Sequence, residues 1–396
     1  MSVPHAMVRA MLMLHTSDWH LGRSLHRADL RAAQAAFLDH LVSTVRAEKV
    51  DVVLVAGDVY DRAVPPVDAV ELCEDALIRL HATGARIVLI SGNHDSARRL
   101  GFGSGLLDKA GVHLRTRIGA LARPVLVEDA HGPVAVYGVP YAEPDAVRGE
   151  LPTPELADAI PRGHAGVLGH AVRCITADAD TRGVRRRVVM AHGWVTGGAA
   201  SESERDITVG GVGQVPADTF AGFSYVALGH LHGQQTLAPH LRYSGSPLPY
   251  SFSEATHGKG SWLVELDANG TKRAERVPAP TYRRLSLLRG RLADLLCSPA
   301  YSRYEGDFVS VTLTDPSRPE GPMDALRARF PHILVLTFEP EGAVPDARCY
   351  RARVVGRDDR AICEEFVQHV RNAPATDGER RLLADAFEAG RAEEAG

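Results

Sequence analysis

Residues 50–61, Val-Asp-Val-Val-Leu-Val-Ala-Gly-Asp-Val-Tyr-Asp, constrain the fold more than any other stretch. From 52 to 56 every residue is apolar and most are β-branched. Such a run reads as a strand buried on both faces, as in a sheet covered by helices. Gly57 lets the backbone turn, and Asp58 then falls at the strand's carboxyl end. Open α/β sheets bind their ligands at those ends. A carboxylate held there by a rigid strand is well placed to bridge two hard metal ions.

The same strand-then-loop pattern recurs with similar chemistry. A strand at 11–15 leads to Asp18 and His20, and an extended segment would put both side chains on one face. A strand at 86–90 leads to Asn93 and His94, one at 188–191 to His192, and one at 223–228 to His230 and His232. Helical periodicity at 29–45 and 67–80, the second stopped at Gly84, separates the first three strands. The order β-α-β-α-β predicts a mainly parallel central sheet. A further strand is predicted at 134–139 and a helix at 164–177. Short strands at 241–244 and 262–266 predict a second sheet packed on the first. The fold class is therefore α/β, a layered β-sandwich flanked by helices. The stretches 98–105 and 197–213 read as loops, and Arg185-Arg186-Arg187 as a solvated strand entrance.

With 396 residues the chain is expected to hold two or three domains. Pro278-Ala279-Pro280 marks a break. The expected domains are 1–280, a small α+β domain at 281–345 and a helical tail at 346–396. The small domain has strands at 285–288, 308–313 and 333–338 with helices at 292–296 and 323–330, and Pro345 closes it. The tail carries two amphipathic helix patterns, the second opened by the capping box Thr376-Asp377-Gly378-Glu379. Two such helices either fold back on the small domain or dock on another protein. No apolar run approaches the ~18 residues of a membrane span. The first ten residues read as an extension without a secretory core. Five scattered cysteines give no zinc ribbon or disulfide framework and fit a reducing cytoplasm. A net charge of −4 confines any nucleic-acid contact to a local patch.

Asp18, His20, Asp58, Asn93, His192, His230 and His232 supply carboxylate, imidazole and amide donors, which suit manganese, iron or zinc better than calcium. Two ions about 3.5–4 Å apart can activate water and neutralise a phosphoryl group. Taken singly, each residue is an ordinary turn or core residue; the ordered set is what points to a metal site.

D-x-H, G-D-x-x-D, G-N-H-D, A-H-G and G-H-x-H, in this order, resemble the calcineurin-like metallophosphoesterases. Within that family the chain looks most like the SbcD subfamily of bacterial nuclease subunits. The stretches Ser17-Asp18-Trp19-His20-Leu21-Gly22 and Tyr243-Ser244-Gly245-Ser246-Pro247-Leu248, continued by Tyr250-Ser251-Phe252-Ser253-Glu254, carry that likeness. The resemblance implies one ion on Asp18, His20, Asp58 and His232 and a second on Asp58, Asn93, His192 and His230, with manganese the favoured metal. It implies that His94 touches the scissile phosphate and aids the leaving oxygen, and that Asp61 hydrogen-bonds His94. It implies a 3′ to 5′ double-strand exonuclease that also cuts single strands and hairpins, in a cytoplasmic, nucleoid-associated heterotetramer of a homodimer with the SbcC ATPase. The small domain would cap the DNA, and the tail would bind SbcC. A phosphatase or cyclic-nucleotide phosphodiesterase on the same scaffold is the other reading, because the metal ligands alone do not distinguish them.

Overall fold

The computed structural model describes residues 9–147, 150–151, 160, 162–205, 207, 213–341, 357–371 and 373–394. The chain divides into two compact units, Met1–Tyr282 and Arg283–Gly396. In chain order the strands of the first unit are β1 Met11–Thr16, β2 Ser24–Leu25, β3 Ala28–Asp29, β4 Val52–Ala56, β5 Arg86–Ile90, β6 Val112–Arg115 and β7 Val125–Asp129. They continue with β8 Gly132–Val139, β9 Arg186–His192, β10 Tyr225–Gly229, β11 Gln235–Ala238, β12 Leu241–Tyr243, β13 Gly260–Asp267 and β14 Gly270–Pro278.

Apart from the β2–β3 hairpin, these strands form two six-stranded sheets, ordered β14-β13-β1-β4-β5-β6 and β11-β12-β10-β9-β8-β7. β1, β4 and β5 run parallel, as the alternating pattern predicted, and β6 extends them in parallel. The helices Arg31–Glu48 and Val67–His81 make the first crossovers. Ala33, Phe37, Leu41 and Val45 are buried at a spacing of four, so this helix lays one apolar stripe on the sheet. The two sheets face each other through Met13, Leu54, Val88, Val136, Met190 and Ala227. Helices cover both outer faces. Phe37 and Leu41 pack on the first sheet with Val53 and Leu89. The helix His164–Thr181 brings Leu168, Ala171 and Ile175 onto Tyr137 and Val189 of the second. The fold is an α/β sandwich of two sheets between helical layers.

Several boundaries differ from expectation. β13 joins the first sheet, antiparallel to β1 with Met11 opposite Leu266, and not the second. Trp262, Val264 and Leu266 face the core between the sheets, whereas Leu263 faces the helical layer. A run buried on both faces carries no mark of which sheet it joins. The first helix starts at Arg31 because Ala28–Asp29 pairs with Ser24–Leu25 and the Asp29 carboxylate accepts the Arg31 N–H. The stretch 98–105 holds one-turn helices, Ala97–Leu100 and Ser104–Leu107, rather than a plain loop. Strands β6, β7, β11 and β14 were not foreseen; β14, with Lys272, Arg273, Glu275 and Arg276, is a polar edge.

Arg186 also departs from its predicted solvated position. It opens β9 and is buried, its guanidinium forked onto Asp129 at 2.5 and 2.8 Å. Asp129 also accepts the Met11 N–H at 2.7 Å. Burial pushes the Asp129 carboxyl up, but Arg186 and the backbone donors outweigh that and hold it below the usual carboxylate range. Arg186→Ala strands this carboxylate and should cost about 3–5 kcal/mol in a urea titration, the usual cost of breaking a buried pair. Because the folded pKa is depressed, the pair's contribution is present above the unfolded value near ~3.9 and is lost as pH falls through the lower folded value. Wild type and variant should therefore converge in stability as the pH is lowered through that window.

In the second unit β15 Leu285–Gly290, β16 Phe308–Leu313 and β17 Ile333–Phe338 form a parallel three-stranded sheet. The helices Leu292–Cys297 and Pro322–Arg329 cover it through Leu295, Leu326 and Phe330. The helices Asp359–Arg371 and Asp377–Glu394 follow. The capping box forms as predicted: the Thr376 N–H donates to Glu379 at 2.7 Å and the Glu379 N–H donates to the Thr376 hydroxyl at 3.3 Å. Phe366 and Leu382 on this pair are 60% and 69% exposed. Residues 1–8 and the expected boundary at Pro345 lie outside the described residues.

Candidate metal centre

The carboxyl ends of β1, β4, β5, β9 and β10 meet at one place. Asp18, His20 and His232 offer ligand atoms within 4.8 Å of one another, as do His20, Asp58 and His94, and Asp18, Asp58 and His192. Asp58 thus stands in two groups, between the histidines of the two sheets. Its Oδ2 is 3.7 Å from His20 Nε2 and 3.5 Å from His192 Nε2. Asn93 Oδ1 lies 2.9 Å from His192 Nε2 and 3.2 Å from His230 Nδ1. All seven residues foreseen as ligands are therefore together, and the aspartates and histidines among them are buried.

The backbone reaches this arrangement by an unexpected route. Asp18, His20, Asp58 and His230 adopt φ of +52°, +45°, +49° and +106°, the left-handed region that side chains rarely enter. The segment 17–20 is therefore a tight loop and not an extended one, so strand alternation is not what brings Asp18 and His20 together. Backbone bonds hold the loop: the Asp18 N–H donates to Gly57 O and the His20 N–H to Asp58 O. Strained non-glycine residues of this kind gather at functional sites, where the surrounding structure over-determines them. Glycines in the motifs make room. A Cβ on Gly92 would sit 2.1 Å from Asp58 Oδ1, and one on Gly57, at φ +91°, 2.3 Å from His192 Nδ1.

Burial is the leading cause of the electrostatic shifts in the cluster. Burial pushes the Asp18 carboxyl up to about 6. Burial acts upward on Asp58 too, but His192 and His20 outweigh it and hold Asp58 far below the usual range. Burial pulls His192 down, and Asp58 reverses this to hold it at about 9. Burial, then the charge on His192, draws His230 down to about 3. Two imidazole nitrogens, His20 Nε2 and His232 Nε2, face each other at 3.1 Å. Asn93 Nδ2 is buried without a hydrogen-bond partner, and its oxygen is turned to the two histidines. Converging lone pairs on buried nitrogen and carboxylate oxygen are what a divalent cation of intermediate hardness requires, so the residues fit such ions.

His94 lies at the open edge, its side chain 16% exposed. Its N–H donates to Asp58 Oδ1 at 2.9 Å, and its Nδ1–H donates to the Asp61 backbone carbonyl at 2.9 Å. The expected contact with the Asp61 carboxylate is not made: that oxygen is 4.0 Å from His94 Nδ1 and instead lies 3.7 Å from both His20 Nδ1 and Arg23 Nε. The carbonyl still fixes the ring's orientation and tautomer.

The sequence reading missed several supporting residues. Asp95 accepts N–H bonds from Val59, Tyr60 and Gly92, clamping the Asp58 loop to the Asn93 loop. Burial, then the charge of Asp58, pushes its carboxyl up to about 7. Its signal was present as the final letter of G-N-H-D. Ser203 and Glu204 reach His232 from the glycine-rich stretch read only as loop, which carries no periodic signal.

Residues 11–167 match the family model for calcineurin-like phosphoesterase. Among solved structures, a protein of Thermus thermophilus is similar at TM-score 0.38 and 11% identity, over 68% of this chain and 99% of that one. A dimetal phosphatase from Danio rerio is similar at TM-score 0.38 and 14% identity, over 68% and 98%. An archaeal phosphodiesterase is similar at TM-score 0.30 and 11% identity, over 67% and 100%. Among the described residues no helix is long and apolar enough to cross a membrane. Over residues 11–167 the chain is thus similar to the calcineurin-like phosphoesterases, and its histidine–aspartate cluster could hold a metal ion.

Proposed function

We propose that the chain is a manganese-dependent DNA nuclease subunit of the SbcD kind, acting with the SbcC ATPase on DNA ends and hairpins. The observation that supports it most is where its two subfamily stretches lie. Ser17 and Ser244 share a hydrogen bond at 2.6 Å, and the Tyr250 hydroxyl donates to the Trp19 carbonyl at 2.5 Å. Tyr250 also meets His20 and His232 edge to face, with ring centroids 5.4 and 5.9 Å away. The residues that carry the subfamily likeness thus pack on the proposed metal ligands, which supports the reading.

A bound pair of divalent cations would supply an activated water and neutralise charge on the phosphoryl oxygens. The protein's part is positional. Asp18, His20, Asp58 and His232 would hold one ion, and Asp58, Asn93, His192 and His230 the other. His94 Nε2 would face the phosphate and deliver a proton or positive charge to the leaving 3′ oxygen. The deciding experiment incubates the purified chain and manganese with labelled duplex, hairpin and single-stranded DNA, alongside p-nitrophenyl phosphate esters. Shortened duplex and opened hairpins are expected. Turnover of the small esters alone would favour the phosphatase or cyclic-nucleotide phosphodiesterase reading. Deleting 358–396 should spare single-strand cutting and abolish co-purification with SbcC; retained co-purification would refute the tail's role.

The same reading includes a homodimer. Beside the helix Val67–His81 a groove of about 620 Å³ is lined by Leu77, Ile78, Leu100 and Phe102. Ile78 is 61% and Phe102 85% exposed, an apolar concentration that marks interfaces. A knob beside its own groove suits a two-fold contact between copies. Phe102→Glu should convert a dimer to a monomer in light scattering while leaving metal-dependent ester hydrolysis within about threefold of wild type, since a distant surface change leaves the site's own contacts intact.

A further inference from the structure

The two histidine-rich halves of the site are backed differently. His192 Nδ1 rests on a neutral backbone carbonyl, Ala56 O, at 2.9 Å. His232 Nδ1 instead meets the Ser203 hydroxyl at 2.5 Å, and that hydroxyl donates on to Glu254 Oε1. Glu254 is fully buried and paired with the Lys259 ammonium. Lys259 Nζ donates to Glu254 Oε2, to the Ser246 hydroxyl at 2.9 Å and to the His232 carbonyl at 2.9 Å. Its three donors therefore meet three acceptors. The His232 N–H in turn donates to Glu204 at 2.7 Å. One ligand is thus gripped at ring, amide and carbonyl by a buried polar network, which spans 203–259 and makes none of the direct metal contacts considered above.

Only four of the 45 basic residues are lysine. One of them stands where a compact three-donor point charge is needed and a planar guanidinium would not fit the tripod. Burying an ammonium and a carboxylate is costly unless the pair does something a hydrophobic pair cannot. Outer carboxylates fix a ligating imidazole's tautomer and raise its basicity, and their loss typically costs 10–100-fold in metal affinity.

We propose that Lys259 and Glu254 are positioning residues that act through Ser203 on His232, and that they make the ion on Asp18, His20, Asp58 and His232 bind more tightly than the ion on Asp58, Asn93, His192 and His230. The proposal rests on the two-ion reading of the site. It is tested with the full chain, stripped of metal, by calorimetric manganese titration together with electron-paramagnetic counting of free manganese. Wild type should take up two ions in two resolved steps. Glu254→Gln should weaken the tighter step about 10–100-fold and leave the weaker one within about threefold. Because Glu254→Gln strands a buried ammonium, Glu254→Gln/Lys259→Met is measured beside it; it removes both charges and should show the same selective loss with an unchanged circular-dichroism spectrum. Lys259→Arg keeps the charge but not the tripod, and should behave as Glu254→Gln does. Two unaltered steps, or equal weakening of both, in folded variants would overturn the proposal. A wild-type chain that binds no manganese would instead overturn the two-ion reading beneath it.

Discussion

Asp58→Asn will give a folded chain that gains no stability from divalent cations. Asp58 stands in two of the ligand groups, as Asp18 does, and its Oδ2 lies within 3.7 Å of histidines from both sheets. The amide keeps the volume and one acceptor but loses the charge that both ions would share. Each ion, once bound, would stabilise wild type by about 2.7 kcal/mol at a hundredfold excess over its Kd. That increment should vanish from the melting curve of the variant. Manganese affinity should fall at least about a hundredfold, because even outer partners of ligands account for 10–100-fold. Phosphodiester hydrolysis should fall by about 10³ or more. With chelator present the variant should melt lower than wild type at neutral pH, since Asp58 is held ionised by His192 and His20 and losing its charge breaks that buried pairing. Manganese-dependent stabilisation equal to wild type would remove Asp58 from its bridging place.

His94→Gln will separate binding from turnover. The seven foreseen ligands stay in place, so both ions should still be taken up in the manganese titration. Turnover of DNA should drop by about 10²–10⁴, the usual contribution of a general acid. The loss should shrink for bis(p-nitrophenyl) phosphate, whose leaving oxygen departs without help from a proton. An equal loss on both substrates would assign His94 to holding the phosphate rather than to the leaving oxygen. Full activity on DNA would remove His94 from the chemistry.

How much of this was legible in the sequence depended on what each residue's signal was made of. Val52–Ala56 declared itself because a strand covered on both faces leaves no polar residue in its run. The ligands declared themselves because a polar group directly after such a run recurs five times. β13 did not, because its partner strand is set by Met11–His15 far away, not by its own letters. Arg186 looked solvated because its partner Asp129 lies 57 residues earlier. Asp61 had the right neighbour but the wrong atom: backbone geometry decided that its carbonyl and not its carboxylate holds His94. The left-handed backbone at Asp18, His20, Asp58 and His230 was invisible, since nothing in those side chains announces a strained φ.

The pairing of β1 with β13 has a consequence for the protein's birth. Asp18 and His20 leave the ribosome early, but the strand that flanks theirs, and the histidines at 230 and 232, follow more than two hundred residues later. Domains assemble as units during synthesis, and long-range pairing is slow to form. A nascent chain therefore lacks the complete cluster of aspartates and histidines until nearly the whole first unit has emerged.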